Sequence, residues 1–145
     1  MIGLLQRVSE ARVNITGRPV ARIAQGLLVL VGIEREDTEA QAERLLERIL
    51  SYRVFPDSEQ RMNLSLTDIG GELLLVPQFT LAANTRKGNR ASFTSAAAPE
   101  RGAELYHHLL ETARHKLPGT QSGIFSADMQ VQLVNDGPVT FWLQV

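Results

Sequence analysis

Two short segments carry the residues whose types and spacing could support chemistry. The first is Pro77-Gln78-Phe79-Thr80-Leu81, which follows the apolar run of residues 73–76. In an extended chain Gln78 and Thr80 would share one face and Phe79 would take the other. Polar residues at a strand end beside a long loop are where sites are often built. The alternative, in which Gln78 and Thr80 only satisfy a sheet edge, fits the sequence equally well.

The second segment spans residues 134–143 and contains Gly137-Pro138. Glycine permits backbone angles that other residues avoid, and proline fixes φ and lacks an N–H. Two carbonyl groups in this segment therefore lack the usual strand partners. Taken alone, the spacing favours a turn that leads into the last strand.

Conventional catalytic groups are sparse in this chain. The three histidines, His107, His108 and His115, fall on one predicted helix, and no Gly-x-Ser-x-Gly motif presents a nucleophile. Cysteine is absent, which excludes thiol nucleophiles, thiolate zinc sites, iron–sulfur clusters and disulfides. We therefore expect neither metal nor cofactor, and any hydrolysis would rely on main-chain groups, hydroxyl or amide side chains, and the substrate.

Composition predicts an ordinary globular protein. The 145 residues suit one domain over 1–145, with 43% hydrophobic and 21% charged residues. The net charge of −1 gives no indication that the protein as a whole attracts nucleic acid. Locally, however, Arg86, Lys87 and Arg90 could neutralise phosphates. The start of the chain does not resemble a signal peptide and no apolar run reaches membrane-spanning length, so we expect a cytoplasmic protein without membrane contact.

The elements that must position these segments are mostly strands. Apolar patterns predict strands over residues 3–15, 20–24, 27–33, 72–76, 125–134 and 139–145. One helix begins with a capping box of Thr38 and Gln41, and another runs from Pro99 to about Lys116. The predicted fold is α+β, a single domain with a curved barrel-like β-sheet and two main helices packed outside.

Both segments match one enzyme family. Gln78-Phe79-Thr80-Leu81 and Asn135-Asp136-Gly137-Pro138-Val139-Thr140 resemble the two signatures of the D-aminoacyl-tRNA deacylases. The resemblance covers essentially the whole chain. It includes the segments Gln6-Arg7-Val8, Arg53-Val54-Phe55, Met62-Asn63, Ser92-Phe93, Phe125-Ser126-Ala127-Asp128-Met129 and Phe141-Trp142-Leu143.

The resemblance implies a homodimeric, metal-free hydrolase that cleaves the ester between a D-amino acid, or mischarged glycine, and the 3′-terminal adenosine of tRNA. It implies a cis Gly137-Pro138 peptide that enters the partner subunit's pocket and rejects L-amino acids. The reaction centre would be lined by Gln78, Phe79 and Thr80, with N–H groups near Phe79 and Thr80 stabilising the oxyanion. The remaining roles concern two side chains: Phe125 would flank the adenosine, and Arg7 would hold the Gly-Pro loop.

Pro77 departs from the family pattern, which usually has serine there, so a hydroxyl and an N–H are both missing. Thr80 has no visible activating base, which argues against a covalent role. Two alternatives remain open on the residues alone. One is a non-catalytic RNA- or nucleotide-binding module that uses the three basic loop residues, and the other is a small-metabolite esterase that uses Thr80.

Overall fold

The computed structural model describes all residues, 1–145, as eight strands, three α-helices and one short 3-10 helix. The elements in chain order are β1 (Ile2–Ile15), β2 (Arg18–Ile23), β3 (Gly26–Gly32), α1 (Glu39–Ser51), β4 (Phe55–Pro56), β5 (Met62–Leu64), α2 (Leu66–Ile69), β6 (Glu72–Pro77), the 3-10 helix (Phe79–Ala82), α3 (Pro99–Lys116), β7 (Gln121–Ser122) and β8 (Gln130–Gln144).

Strand β1 organises the sheet because it pairs with three other strands. Its first half pairs with β3 and its second half with β2, while β8 runs antiparallel along its other side. Strands β6 and β7 then add to β3 in parallel, which gives the order β2-β1-β3-β6-β7 with β8 beside β1. Strands β4 and β5 form a separate small hairpin.

The main core lies between this sheet and the helices α1 and α3. The predicted capping box of α1 is present, since the Gln41 side chain accepts a hydrogen bond from the Thr38 N–H at 3.0 Å. The apolar stripe of α1 is buried, as its period of three and four residues predicts, and consists of Ala42, Leu45, Leu46 and Ile49. A second cluster consists of strand residues that point to the other face of the sheet and includes Val8, Val13, Leu28 and Leu74.

The sheet curls until β2 comes near β6 and β7. Glu72 connects the start of β6 to the two residues between β2 and β3. Its N–H donates to the Gln25 carbonyl at 3.0 Å, and its carboxylate accepts from the Ala24 N–H at 2.7 Å. The predicted α+β fold with a curved barrel-like sheet and outer helices is therefore confirmed. The four-residue helix α2 adds to the two main helices that the sequence predicts.

The prediction of two final strands separated by a turn is wrong. Residues 130–144 form one strand, both halves of which pair with β1. Asn135 pairs with Val8 and Thr140 with Gln6, so β8 has three more residues than β1 between these pairs. The Gly-Pro segment is therefore a bulge that projects from a continuous strand. Residues 123–129, predicted to be partly strand, form a loop with Ser126 at φ 61°.

Candidate active site

The segment that follows β6 is placed by the main chain. Strand β6 ends at Pro77, which pairs with Val31 of β3. The Gln78 N–H donates to the Val31 carbonyl at 2.7 Å, and the chain then turns into the 3-10 helix. This turn approaches β3 closely, since a Cβ at Gly32 would lie 2.8 Å from Leu81 Cβ. A glycine at position 32 therefore lets the turn pack against the end of β3.

The turn brings Gln78 and Thr80 together, although not through an extended chain as predicted. The Gln78 side-chain amide donates to Thr80 Oγ1 at 2.5 Å, and Phe79 is 60% exposed beside them. The first N–H groups of a helical turn have no intrahelical acceptor. The N–H groups of Phe79 and Thr80 accordingly make no hydrogen bond within the chain. The turn therefore offers two main-chain donors, an amide and a hydroxyl, which suits an oxygen that gains negative charge.

The bulge in β8 presents Gly137 and Pro138 to solvent, and the peptide bond between them is cis. Gly137 has φ +131°, a conformation that L side chains rarely adopt. A Cβ at this position would lie 2.7 Å from Val139 Cγ2 and 3.0 Å from the Arg7 guanidinium. Both the backbone conformation and the space therefore require glycine.

Arg7 hydrogen-bonds to one side of the bulge. Its Nε donates to the Asp136 carbonyl at 3.0 Å, and its Nη1 donates to the Val54 carbonyl at 2.6 Å. The Asp136 carboxylate also lies 3.4 Å from Nε. One mostly buried guanidinium thus ties the bulge to the segment that leads into β4.

Asn135 holds the other side of the bulge. The sequence alone predicts no role for this residue. Its side-chain oxygen accepts from the Val139 N–H at 2.9 Å, and its side-chain amide donates to Thr140 Oγ1 at 2.8 Å. The side chain therefore bridges the base of the bulge. A signal was available, because asparagine ahead of a Gly-Pro pair often hydrogen-bonds to the backbone of its own turn.

Within one chain the Gln78–Thr80 turn and the Gly-Pro bulge do not meet. Pro77 pairs with Val31, which pairs with Gly3, whereas the bulge lies opposite Arg7. At the spacings of a β-sheet this separation is about 13 Å along the strands and about 14 Å across them. The two segments that the resemblance assigns to one site are thus apart within a single chain.

Phe125 lies on the helix side of β6. The loop that carries it is attached by the Gly123 N–H, which donates to the Leu75 carbonyl at 2.9 Å. The half-buried Phe125 ring packs against α3, with its centroid 6.1 Å from that of Tyr106. The Tyr106 hydroxyl donates to the same Leu75 carbonyl at 2.9 Å, and burial raises its pKa to about 12. Tyr106 and the loop therefore both support the end of β6.

The histidines of α3 form no site of their own. His108 lies 3.2 Å from Glu43 of α1, and His107 and His115 are exposed. No group of three or more His, Asp or Glu side chains is placed to hold a metal ion. None of the helices combines the length and apolar character needed to cross a membrane.

Comparison with known proteins places the chain in a family. A family model described as D-Tyr-tRNA(Tyr) deacylase matches residues 4–144. Proteins called D-aminoacyl-tRNA deacylase are 65% identical in Alkalilimnicola ehrlichii, over 99% of this chain and 96% of the relative, and 58% identical in Vibrio cholerae, over 99% of both. The chain belongs to the D-Tyr-tRNA(Tyr) deacylase family.

Two solved structures share the fold. A structure titled c-Myc DNA Unwinding Element Binding Protein aligns with a TM-score of 0.96 and 37% identity, over 100% of this chain and 99% of that one. A probable eukaryotic D-amino acid tRNA deacylase aligns with a TM-score of 0.84 and 18% identity, over 99% and 98% of the two chains. The second likeness concerns the fold alone.

Proposed function

We propose that this protein hydrolyses the ester bond between a D-amino acid and the 3′-terminal adenosine of tRNA. The observation that carries the proposal is the pair of unpartnered N–H groups of Phe79 and Thr80, which lies in a chain closely related to proteins named for this activity. Residues 1–145 would act as one domain around a continuous sheet. Since ribosomes use charged tRNA in the cytoplasm, we place the protein there.

The reaction would proceed by attack of water on the ester carbonyl. The carbonyl oxygen becomes an oxyanion, which accepts hydrogen bonds from the N–H groups of Phe79 and Thr80. The bond to the ribose 3′ oxygen then breaks, and that oxygen takes a proton from the attacking water, relayed by the neighbouring 2′-hydroxyl. Gln78 and Thr80 would orient the ester, and positioning suffices because aminoacyl esters are already labile. Pro77 has no N–H and contributes no donor.

Chiral selection would come from Gly137 and Pro138 of a partner subunit in a homodimer. The support is geometric, because the bulge is exposed and lies far from the Gln78–Thr80 turn of its own chain. Strand β8 also has a free outer edge, and its Val134 and Trp142 side chains are 52% and 51% exposed. Such an edge favours pairing with a second copy.

In this arrangement the carbonyl groups of the bulge would accept hydrogen bonds from the substrate's α-amino group and leave no room for an L side chain. Selection then works by exclusion, and glycine has nothing to clash with. Arg7 would hold the bulge in position, and Phe125 would flank the adenosine.

The activity is tested by measuring cleavage of glycyl, D-alanyl and L-alanyl esters on one tRNA. We expect comparable turnover of the glycyl and D-alanyl esters and none of the L-alanyl ester. Rejection of the glycyl and L-alanyl esters alike would mean that the D side chain is recognised positively, and the exclusion model would fail. Binding of tRNA without turnover of any ester would instead indicate a binding module.

The shared site is tested by mixing two nearly inactive variants, one carrying Thr80→Pro, which removes a main-chain donor of the turn, and one carrying Gly137→Val. If the bulge acts in the partner's site, a mixed dimer contains one intact site and activity returns on mixing. If each chain builds its own site, the mixture stays inactive. Light scattering of each variant confirms that both still assemble.

A further inference from the structure

A basic hairpin, residues 84–92, begins two residues after the 3-10 helix that carries Phe79 and Thr80. Its base is closed by two hydrogen bonds, from the Asn84 N–H to the Ser92 carbonyl at 2.8 Å and from the Ser92 N–H to the Asn84 carbonyl at 3.1 Å. The hairpin is therefore fixed next to the candidate active site.

The hairpin is strongly positive although the chain is not. It carries Arg86, Lys87 and Arg90, which together with Asn84 and Ser92 line one cleft. Residues 73–99 contain no Asp or Glu, whereas the whole chain has a net charge of −1. None of the three cations takes part in an ion pair, and this segment therefore concentrates positive charge that the chain does not neutralise.

One acidic residue lies nearby and is already engaged. Glu34 shares a cleft with Arg86, but its carboxylate accepts from the Met1 α-amino group at 3.2 Å and from the Gln144 amide at 2.9 Å. It therefore does not neutralise the hairpin.

Two aromatic rings join the hairpin to the active-site turn. Phe93 follows Ser92, and its ring centroid lies 5.1 Å from that of Phe79. The two side chains are 44% and 60% exposed, which is unusual for phenylalanine. Exposed aromatic rings beside a basic groove are the combination that binds single-stranded nucleic acid, since bases stack on the rings and cations contact the phosphates.

We propose that the basic hairpin binds the phosphodiester backbone of the tRNA 3′ strand, next to the terminal adenosine, with Phe79 and Phe93 supplying the stacking surface. The inference rests on the proposed function, which fixes the ester at the Gln78–Thr80 turn. Arg86 lies four residues beyond Ala82, at most about 14 Å along the chain. Phosphates close to the bound ester are therefore within its reach.

The test compares the variant Arg86→Ala/Lys87→Ala/Arg90→Ala with the control Arg18→Ala/Arg22→Ala/Arg44→Ala, which removes the same charge from exposed positions elsewhere. Each is assayed on D-alanyl-tRNA and on 3′-D-alanyl-adenosine, which has no phosphate. We expect the hairpin variant to raise KM for the tRNA by about 10-fold to 100-fold, with kcat nearly unchanged and no effect on the nucleoside ester. The control should change neither substrate.

Salt dependence gives a second readout. Loss of three phosphate contacts should reduce the slope of log Kd for uncharged tRNA against log salt by about 2. An unchanged KM, an equal loss on both substrates, or an equal loss in the control would overturn the proposal. If the unmodified protein cleaves neither ester, the proposed function fails, and binding of uncharged tRNA to the two variants still decides the role of the hairpin.

Discussion

The Gln78–Thr80 turn and the Gly-Pro bulge are positioned by different means. The turn follows a buried strand, is fixed by a main-chain hydrogen bond to Val31 and packs against Gly32. The bulge lies on an exposed strand and is tied down by the side chains of Arg7 and Asn135. The turn therefore owes its geometry to the core, whereas the bulge depends on a few polar contacts.

This difference determines where each region is sensitive to mutation. The unpartnered N–H groups of the turn belong to the main chain, so side-chain truncation leaves them in place. Truncation of the side chains around the bulge leaves carbonyl and N–H groups without partners, which costs free energy and frees the loop to move. We expect truncation of the turn side chains to change the rate alone, and truncation of the side chains that hold the bulge to change stereoselectivity.

The largest effect is expected for Gly137→Ala. The added methyl group would clash with Val139 and Arg7 in a backbone conformation that disfavours alanine. Cleavage of glycyl and D-alanyl esters should fall together by about 100-fold, the cost of a displacement near 1 Å. Gly17→Ala is the matched control, because Gly17 also has positive φ but its Cβ would meet nothing within 4 Å. Loss of only one substrate would contradict the steric account.

Arg7→Ala should lower the ratio of D-alanyl to L-alanyl cleavage by about 10-fold or more, since hydrogen bonds from a charged donor contribute about 1.5–3 kcal/mol each. Arg7→Lys keeps the charge but loses the two-pronged geometry, and it should fall between the wild type and Arg7→Ala. The ratio is measured on one tRNA. An unchanged ratio with a lower rate would mean that Arg7 does not control selectivity.

Asn135→Ala should lower the same ratio by about 10-fold or less, because it removes two neutral hydrogen bonds of about 1 kcal/mol each. Asn135→Asp preserves an acceptor for the Val139 N–H and for the Thr140 hydroxyl, and it should restore most of the selectivity. If the alanine and aspartate variants behave alike, the bridge across the bulge is not what sets the ratio.

Thr80→Ala should reduce kcat by about 5-fold without abolishing activity, since the main-chain donors remain and one hydroxyl contact is lost. The D/L ratio should stay constant, in contrast to the bulge variants. Mass spectrometry under turnover should find no acyl group on Thr80 of the unmodified protein. A covalent acyl-Thr80 species would assign the hydroxyl a nucleophilic role.

Tyr106→Phe should change activity least and lower the free energy of unfolding by about 2 kcal/mol, because its hydroxyl hydrogen-bonds to both the Leu75 carbonyl and the Ser122 hydroxyl. Burial raises the pKa of Tyr106 from 10.0 to about 12, so the folded state keeps its proton while the unfolded chain loses it. This contribution is complete below pH 10 and is lost as the pH rises toward 12. Urea unfolding at pH 7, 10 and 11 should show a smaller alkaline loss in Tyr106→Phe, with Tyr52→Phe as the control.

The sequence alone determined the two main helices, the buried strands, the two signature segments and the family. These features follow from local periodicity, capping residues and motif identity, all of which can be read without contacts distant in the chain. The apolar stripe of α1 and the capping box of Thr38 and Gln41 are examples, since each depends on residues within a few turns of one another.

Tertiary structure decided where the two signatures lie and what holds them. Residues 130–144 form one bulged strand because β1 pairs with both of its halves, and that register joins residues more than a hundred positions apart. The same pairing brings Arg7 beneath the bulge, separates the bulge from the Gln78–Thr80 turn and sets Asn135 across its base. Local sequence patterns do not specify the pairing register of strands that are distant in the chain. That register is set by which residues the folded sheet buries on each face.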